Sequence, residues 1–340
     1  MEMLRVLEEN WVETLGPVGV VDWTNEEGAR FAMSMMGSAV WSGEVEEERA
    51  RRLREVGRAA GGRVARTVGE ELERIGVGRA GEAGVVEASW ETGVKMAAHF
   101  ELHIEQGPHL VGAGEKIGVV EGAQAYRWYE VEFHGRDCHT GTTSFPHRAD
   151  ALLAAAKAIV DVRALAEELG NGALASVGII EAKPGSVNTV PGFVSMSLDL
   201  RCPDEKILDE LEKRVMESLR SAAGYSGAGG RSVQTNIKET FRSTAVRFQR
   251  EAVDCVEAAA RHVLESAGAS QGGKTLMRRM SSGAGHDSVF ASKRCPTAMI
   301  FVPCKDGVSH HPEEWCEKDD CAMGASVLIQ ALLRYDRTRG

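Results

Sequence analysis

The sequence predicts an α/β protein in which a larger domain is interrupted by a smaller α+β unit, and three observations carry that reading. Apolar, β-branched runs alternate with amphipathic helical stretches toward both ends of the chain, the pattern of helices layered on a sheet. Residues 123–239 change to the order β-α-β-β-α-β, that of a split-βαβ, ferredoxin-like unit. After Ser243 a helix, an apolar run and a final helix resume the earlier pattern, so residues 1–122 and 240–340 are read as one domain and 123–239 as its insert.

Taken in order, residues 2–14 read as a helix. Val18–Trp23 (VGVVDW) reads as a buried strand that delivers the polar turn Thr24–Asn25–Glu26–Glu27–Gly28 at its C-terminal end, the edge where open α/β sheets build their sites. Residues 43–77, rich in Glu, Arg and Ala, predict helices with an exposed charged face. Ala97–Ile104 (AAHFELHI) is strand-like and ends at Glu105–Gln106–Gly107–Pro108. In the insert, Tyr126–Phe133 alternates as a half-exposed antiparallel strand, and Ala149–Glu168 is an Ala-rich helix. Ala175–Ala182 and Val194–Arg201 are strands joined by the loop Lys183–Gly192; a helix over Asp204–Ala223 and a strand near Val233–Glu239 complete the unit. Gly224–Gly230 (GYSGAGG) reads as its loosest loop. Thr244–Ala267 predicts a long helix, Thr297–Val302 a buried apolar run and Asp320–Tyr335 a closing helix.

With 340 residues the chain can bury a substantial core, and 43% hydrophobic with 26% charged residues is the balance of a globular protein. The net charge of −10 argues against a nucleic-acid binder, whose affinity needs clustered Lys and Arg, and leaves small molecules as the expected partners. Seven cysteines without a CxxC pair suit a reducing compartment. The first residues lack the apolar core of a signal peptide, and no stretch reaches the roughly 18 apolar residues of a membrane span, so a cytoplasmic location is expected.

Chemistry-bearing residues gather at the ends of the predicted strands. In Asn25–Glu26–Glu27–Gly28, adjacent carboxylates on extended backbone point apart, so one can bind a metal while the other handles protons; an exposed acidic turn is the plainer alternative. His103 in ELHIEQG, and His310 with His311 in GVSHHPEEW, are ligand types for a carboxylate–imidazole metal site, or a core histidine and a surface loop. In the insert, His139 lies in a Thr/Gly-rich turn where its imidazole could donate to a developing oxyanion. Asn188 and Arg201 could hold a substrate carboxylate, Arg through a bidentate fork. A helix cap, a turn-forming Asn and a surface ion pair are the competing readings.

Together these segments resemble the N-carbamoyl-L-amino-acid hydrolase branch of the dinuclear zinc aminoacylase/carboxypeptidase superfamily, which includes β-ureidopropionases and allantoate amidohydrolases. The matching stretches are DWTNEEGARF, SMMGSAVWSGE, FELHIEQGP, GRDCHTGTTSFPHRADAL, PGSVNTVPG, LDLRCPDE, SSGAGHDSVF and FVPCKDGVSHHPEE, in that order along nearly the whole chain. The resemblance implies a three-layer, zinc-peptidase-like catalytic domain whose insert forms a homodimer. It implies Glu26 as general base, Glu27, His103 and His310 as metal ligands, and His139 as an oxyanion donor reaching the other subunit's site. Asn188 and Arg201 would grip the substrate carboxylate, with Gln106 and His286 in the site's inner shells. The implied cofactor is a divalent metal, zinc first, with manganese, cobalt or nickel as alternatives. The implied substrate is a small carboxylate-bearing ureido compound, cleaved to amino acid, ammonia and carbon dioxide.

The chain departs from that pattern at its beginning. Relatives carry a His-x-Asp motif and a bridging Asp upstream of the NEEG segment, whereas the 25 residues before Glu26 hold no His and one Asp, Asp22. An N-terminally truncated member is therefore expected. A dimeric binding relative without catalysis, and a one-metal hydrolase using Glu27, His103 and His310, are the alternatives. Ser144–Phe145 also stand where the family places Pro-Met.

Overall fold

The computed structural model describes residues 2–56, 65–77, 89–224, 230–271 and 274–339. Contacts divide the chain into two units, Met1–Ala123 with Arg247–Gly340, and Gln124–Val246.

In the first unit, α1 (Glu2–Glu9) is shorter than expected because the Asn10 side chain donates to the Val6 carbonyl at 2.8 Å and Trp11 takes a left-handed φ of 52°. Val18–Trp23 is a correction: it forms no strand, and Val20 and Val21 are 55% and 45% exposed. β-Branched composition favours extended backbone, but a strand also needs a neighbour for its ladder, and no described strand pairs with this segment. The charged stretch that follows yields α2 (Met36–Trp41), α3 (Glu47–Arg51) and α4 (Val68–Arg74), with residues 57–64 outside the described set. Thr67 opens α4 with a capping box, its hydroxyl accepting from Glu70 N while the Glu70 carboxylate accepts from Thr67 N. Then come β1 (His99–Ile104), α5 (His109–Ala113) and β2 (Ile117–Ala123).

The second unit holds β3 (Ala125–His134), β4 (Cys138–His139), α6 (Ala151–Leu169), β5 (Leu174–Ser176), β6 (Ile180–Lys183), β7 (Thr189–Val190), β8 (Phe193–Cys202), α7 (Glu205–Gly224) and β9 (Gln234–Ser243). Its main sheet runs β5-β8-β3-β9, antiparallel throughout, with β6 also on β8. The single strand expected over Ala175–Ala182 is two, because between them Ile179 N bonds the Ser197 hydroxyl of β8 at 3.0 Å instead of a ladder carbonyl. β3 buries Tyr129, Val131 and Phe133 and turns Trp128 and Glu130 outward, the alternation read from the sequence. Against that face α6 lays Ala151, Ala154, Ala155, Ala158 and Val162, and α7 lays Leu208, Leu211, Val215 and Leu219. β9 continues to Ser243, so this unit extends past residue 239 to Val246. Most of the Gly-rich loop, residues 225–229, lies outside the described residues.

The chain returns to the first unit with α8 (Arg250–Ser266), β10 (Met277–Ser282), α9 (Asp287–Ala291), β11 (Thr297–Val302) and α10 (Lys318–Arg337). α8 starts later than Thr244 because Gln249 is still extended. β11, buried at all six positions, runs parallel to β1 on one side and antiparallel to β2 on the other; β10 flanks β2 in parallel. α10 lies close on β1 and β11 at Gly324, where a Cβ would come within 2.6 Å of Leu102 and Val302 side-chain atoms. Since Ile104 is level with Val302, the segments that follow β1 and β11 leave the sheet together. They come together at Gly307, whose φ is +69° and where a Cβ would lie only 2.7 Å from the Gly107 carbonyl carbon, which leaves no room for a side chain.

Candidate active site

The alternation of β1 places His99, Glu101 and His103 on one face of the strand. A chain of hydrogen bonds fixes the first two. Trp23 Nε1 can only donate, so His99 Nε2, at 3.4 Å, accepts; His99 Nδ1–H then donates to Ser288 Oγ at 3.2 Å, and Ser288 Oγ donates to Glu101 Oε2 at 2.7 Å. Ser288 N adds a bond to the same oxygen at 3.3 Å. Burial holds the His99 imidazole neutral, its pKa pushed down to about 4. His103 Nδ1 lies 2.7 Å from the Ile104 carbonyl and must donate to it, which leaves Nε2 as an open lone pair.

The carboxylate turn is clamped from inside. Asn25, at a left-handed φ of 59°, donates through its side chain to Phe31 O (3.0 Å) and Met33 O (2.9 Å), and Met35 N donates to Glu26 O at 2.7 Å. Glu26 is half-buried, and its carboxyl is held above the usual range by burial and by the charges of Glu27 and Glu101, against the opposing influence of His103 and His310. Behind it Ser38 of α2 hydrogen-bonds Asp287, whose carboxyl is raised to about 7 mainly by burial.

Glu27 makes a different contact, 3.4 Å from His310 Nε2, and both side chains are exposed. Gln106 donates to Ser309 Oγ at 3.0 Å and lies 3.4 Å from the same His310 nitrogen. Glu314 anchors this loop, accepting from Ser309 Oγ (2.9 Å) and His310 N (3.1 Å). Gln106 and His310 both take left-handed backbone, with φ of 58° and 56°, a local strain of the kind that collects at functional sites.

The expected residues Glu26, Glu27, His103, Gln106, His286 and His310 thus all fall within the first unit. Among the described residues the group of three or more metal-binding side chains whose donor atoms lie within 4.8 Å of one another is Glu101, His103 and His286. His103 lies with Glu101 and His286 in this group, β1 carrying Glu101 and His103 two residues apart, while Glu27 and His310 meet in the loops beyond the strands, and His103 and His310 both act on the Glu26 carboxyl. Two imidazoles and a carboxylate are a donor set that suits a divalent ion such as zinc. Glu101, His99, Ser288 and Asp287 are the residues that the motif reading passed over. The period of two in HFELHI is the signal that would have found Glu101.

In the second unit, β4 pairs with β7, so His139 is level with Thr189 and Thr140 N bonds Asn188 O at 2.9 Å. His139 Nδ1 accepts from Gly141 N at 3.0 Å and Thr142 N at 3.3 Å, which puts the ring proton on Nε2, exposed and able to donate. Arg201 stands elsewhere. It pairs with Asp199 at 2.7 Å and lies over the Tyr126 ring, near the far end of β8 from Phe193, about 27 Å of extended strand away. Asn188 belongs to the loop before Phe193, so the two expected carboxylate-binding residues sit toward opposite ends of β8 in this subunit.

The sequence signature of peptidase family M20/M25/M40 matches residues 1–334. An N-carbamoyl-L-amino-acid amidohydrolase of Rhizobium meliloti is 35% identical over 98% of this chain and 73% of its own length. A protein of the same name from Paenarthrobacter aurescens is 34% identical over 99% of this chain and 76% of its own. The crystal structure of a hydantoinase/carbamoylase family amidase from Burkholderia multivorans superposes with a TM-score of 0.81 at 36% identity, covering 98% of this chain and 74% of that one.

Proposed function

The chain belongs to peptidase family M20/M25/M40, and on that footing we propose that it is a metal-dependent amidohydrolase cleaving the ureido carbon–nitrogen bond of N-carbamoyl-L-amino acids or close relatives. The single observation that carries this reading is the placement of Glu26. A half-buried carboxylate with a raised affinity for protons stands among Glu27, Glu101, His103 and His310, on a turn held by Asn25. Such a group can take a proton from water and pass it to a leaving nitrogen. The names of the relatives at 34–35% identity support the carbamoyl class.

A divalent ion bound at His103 and its neighbours would lower the pKa of water and polarise the carbamoyl carbonyl. The chain's own side chains do the rest. Glu26 removes the proton of the attacking water, whose oxygen bonds to the carbamoyl carbon. As the carbon–nitrogen bond breaks, Glu26 returns the proton to the departing nitrogen, and breakdown of the carbamate yields carbon dioxide and the second amine. His139, with its proton on exposed Nε2, is suited to stabilise the oxyanion, in the site of a second copy joined through the residue 124–246 unit. Asn188 and Arg201 bind the substrate carboxylate. Because they lie toward opposite ends of β8, this reading draws them from different subunits of a homodimer.

The test is ammonia release by purified protein supplied with zinc, manganese or cobalt. It is offered N-carbamoyl-L-amino acids, N-carbamoyl-β-alanine and allantoate. Metal-dependent turnover of at least one is expected. Saturable binding without ammonia release under any metal would replace this reading with a binding protein.

A further inference from the structure

We propose that Cys316 and Cys321, at the start of α10, are a redox-reactive pair that forms a reversible intrachain disulfide by exchange with a small-molecule disulfide of the glutathione class. The inference goes beyond the hydrolase reading and does not depend on it.

Position brings the two thiols together. Glu317, extended at φ −67° and ψ 141°, immediately precedes α10, so Cys316 stands just ahead of the cap and Cys321 in the first turns of the helix. In that register two side chains meet across the helix entry, where apolar pairs commonly staple the incoming chain to the helix. Here both are thiols. Cys316 Sγ gives its hydrogen to the Glu317 carbonyl at 3.7 Å and accepts that of Cys321 Sγ at 3.3 Å. A disulfide bond is about 2.05 Å long, so the sulfurs need to close by about 1.3 Å, a shift on the scale of side-chain rotation. The backbone on either side is held. Cys321 N bonds the Glu317 carbonyl at 3.0 Å, and the buried Asp320 pairs with Lys116 at 2.8 Å, which fixes the start of α10. Lys305 N bonds the Trp315 carbonyl at 2.8 Å, which fixes the chain just before Cys316.

Exposure sets the order of reaction. Cys321 is exposed and Cys316 half-buried. Burial first, and then the Cys321 thiol, push the Cys316 thiol up to about 12, so Cys316 keeps its proton while Cys321 meets the oxidant. Cys321 gives its proton to water, and its thiolate attacks one sulfur of the small disulfide. A sulfur–sulfur bond forms, the oxidant's own bond breaks, and one thiolate leaves and takes up a proton. Cys316 then yields its proton, bonds to the Cys321 sulfur and expels the second thiolate, which is protonated in turn. Two protein thiols are oxidised and one small disulfide is reduced to two thiols. Among the described residues, no third His, Cys, Asp or Glu donor atom lies within 4.8 Å of both sulfurs, so the pair stands as a dithiol and not as part of a larger metal-binding group. The bridge ties the end of the loop that carries Ser309, His310 and Glu314 to α10.

The experiment exposes the reduced full-length protein to excess oxidised glutathione at about pH 8, alkylates the remaining thiols under denaturing conditions and maps the peptides by mass spectrometry. Trypsin cuts after Lys318, between the two cysteines, so a bridge appears as two peptides joined through Cys316 and Cys321. That joined pair, lighter by two hydrogens and within a single chain on a non-reducing gel, is the expected product, and excess reduced glutathione should restore both thiols. In Cys316→Ser the exchange stops at its first step, with one glutathione held on Cys321. Full alkylation of Cys316 and Cys321 in the oxidised wild-type protein overturns the inference. So does a wild-type chain that ends with glutathione on Cys321, a bridge that runs between two chains, or one that excess reduced glutathione does not open.

Discussion

At the scale of single residues, the site depends on which way each proton points. The relay from Trp23 through His99 and Ser288 to Glu101 has one direction, because the indole can only donate and the carboxylate can only accept. Ser288→Ala removes the middle member and leaves a buried imidazole N–H and a half-buried carboxylate without their partner. A loss of about 1–3 kcal/mol in urea denaturation is predicted, together with weaker metal binding. Unchanged stability would show that water replaces the hydroxyl at no cost. Part of this site was legible in the sequence. Glu26, Glu27, His103 and His310 stand out as carboxylates and imidazoles at loop and strand ends, and all fall in the same unit. The part that Glu101 and His286 take beside His103 was not legible, because it depends on Ser288 and His286, whose approach to β1 is set by the packing of α9 rather than by any spacing in the chain.

At the scale of elements, short helices hold the turn that carries Glu26. Glu71 of α4 gathers Arg30, Arg66 and Arg74, with Arg30 only a few residues beyond the carboxylate turn. The Arg74 guanidinium first, then Arg30, hold the Glu71 carboxyl far below the usual carboxylate range. A pKa lower in the folded chain than in the unfolded one means that the unfolded chain binds the extra proton, so this stabilisation is present above the unfolded value and fades as pH falls through it. The wild-type protein should therefore lose more melting temperature between about pH 5 and about pH 2.5 than Glu71→Gln does. Parallel pH profiles would remove the cluster from the account. Long elements with a clear period, β3, α6, α7, β11 and α10, follow from the sequence because local pattern and burial agree. Val18–Trp23 does not. Its composition suits a strand, but a ladder requires a partner, and pairing is not written in the segment itself.

At the scale of the whole molecule, the residue 124–246 unit leaves apolar side chains outside its core, Leu174 at 59%, Ile179 at 64% and Ile180 at 47% exposed. Burial of such residues against a second copy would account for them, and a homodimer by sedimentation equilibrium is the expected result, weakened by Ile180→Asp. A monomer at all concentrations would leave His139 without the role given to it here. The central claim, a hydrolase with Glu26 as its base, has a more direct test. Glu26→Gln keeps the shape of the turn and removes the proton acceptor. With bound metal measured and equal in both proteins, ammonia release from the best carbamoyl substrate should fall by about 10²–10⁴-fold in kcat, with little change in KM. Wild-type turnover in Glu26→Gln would contradict the account.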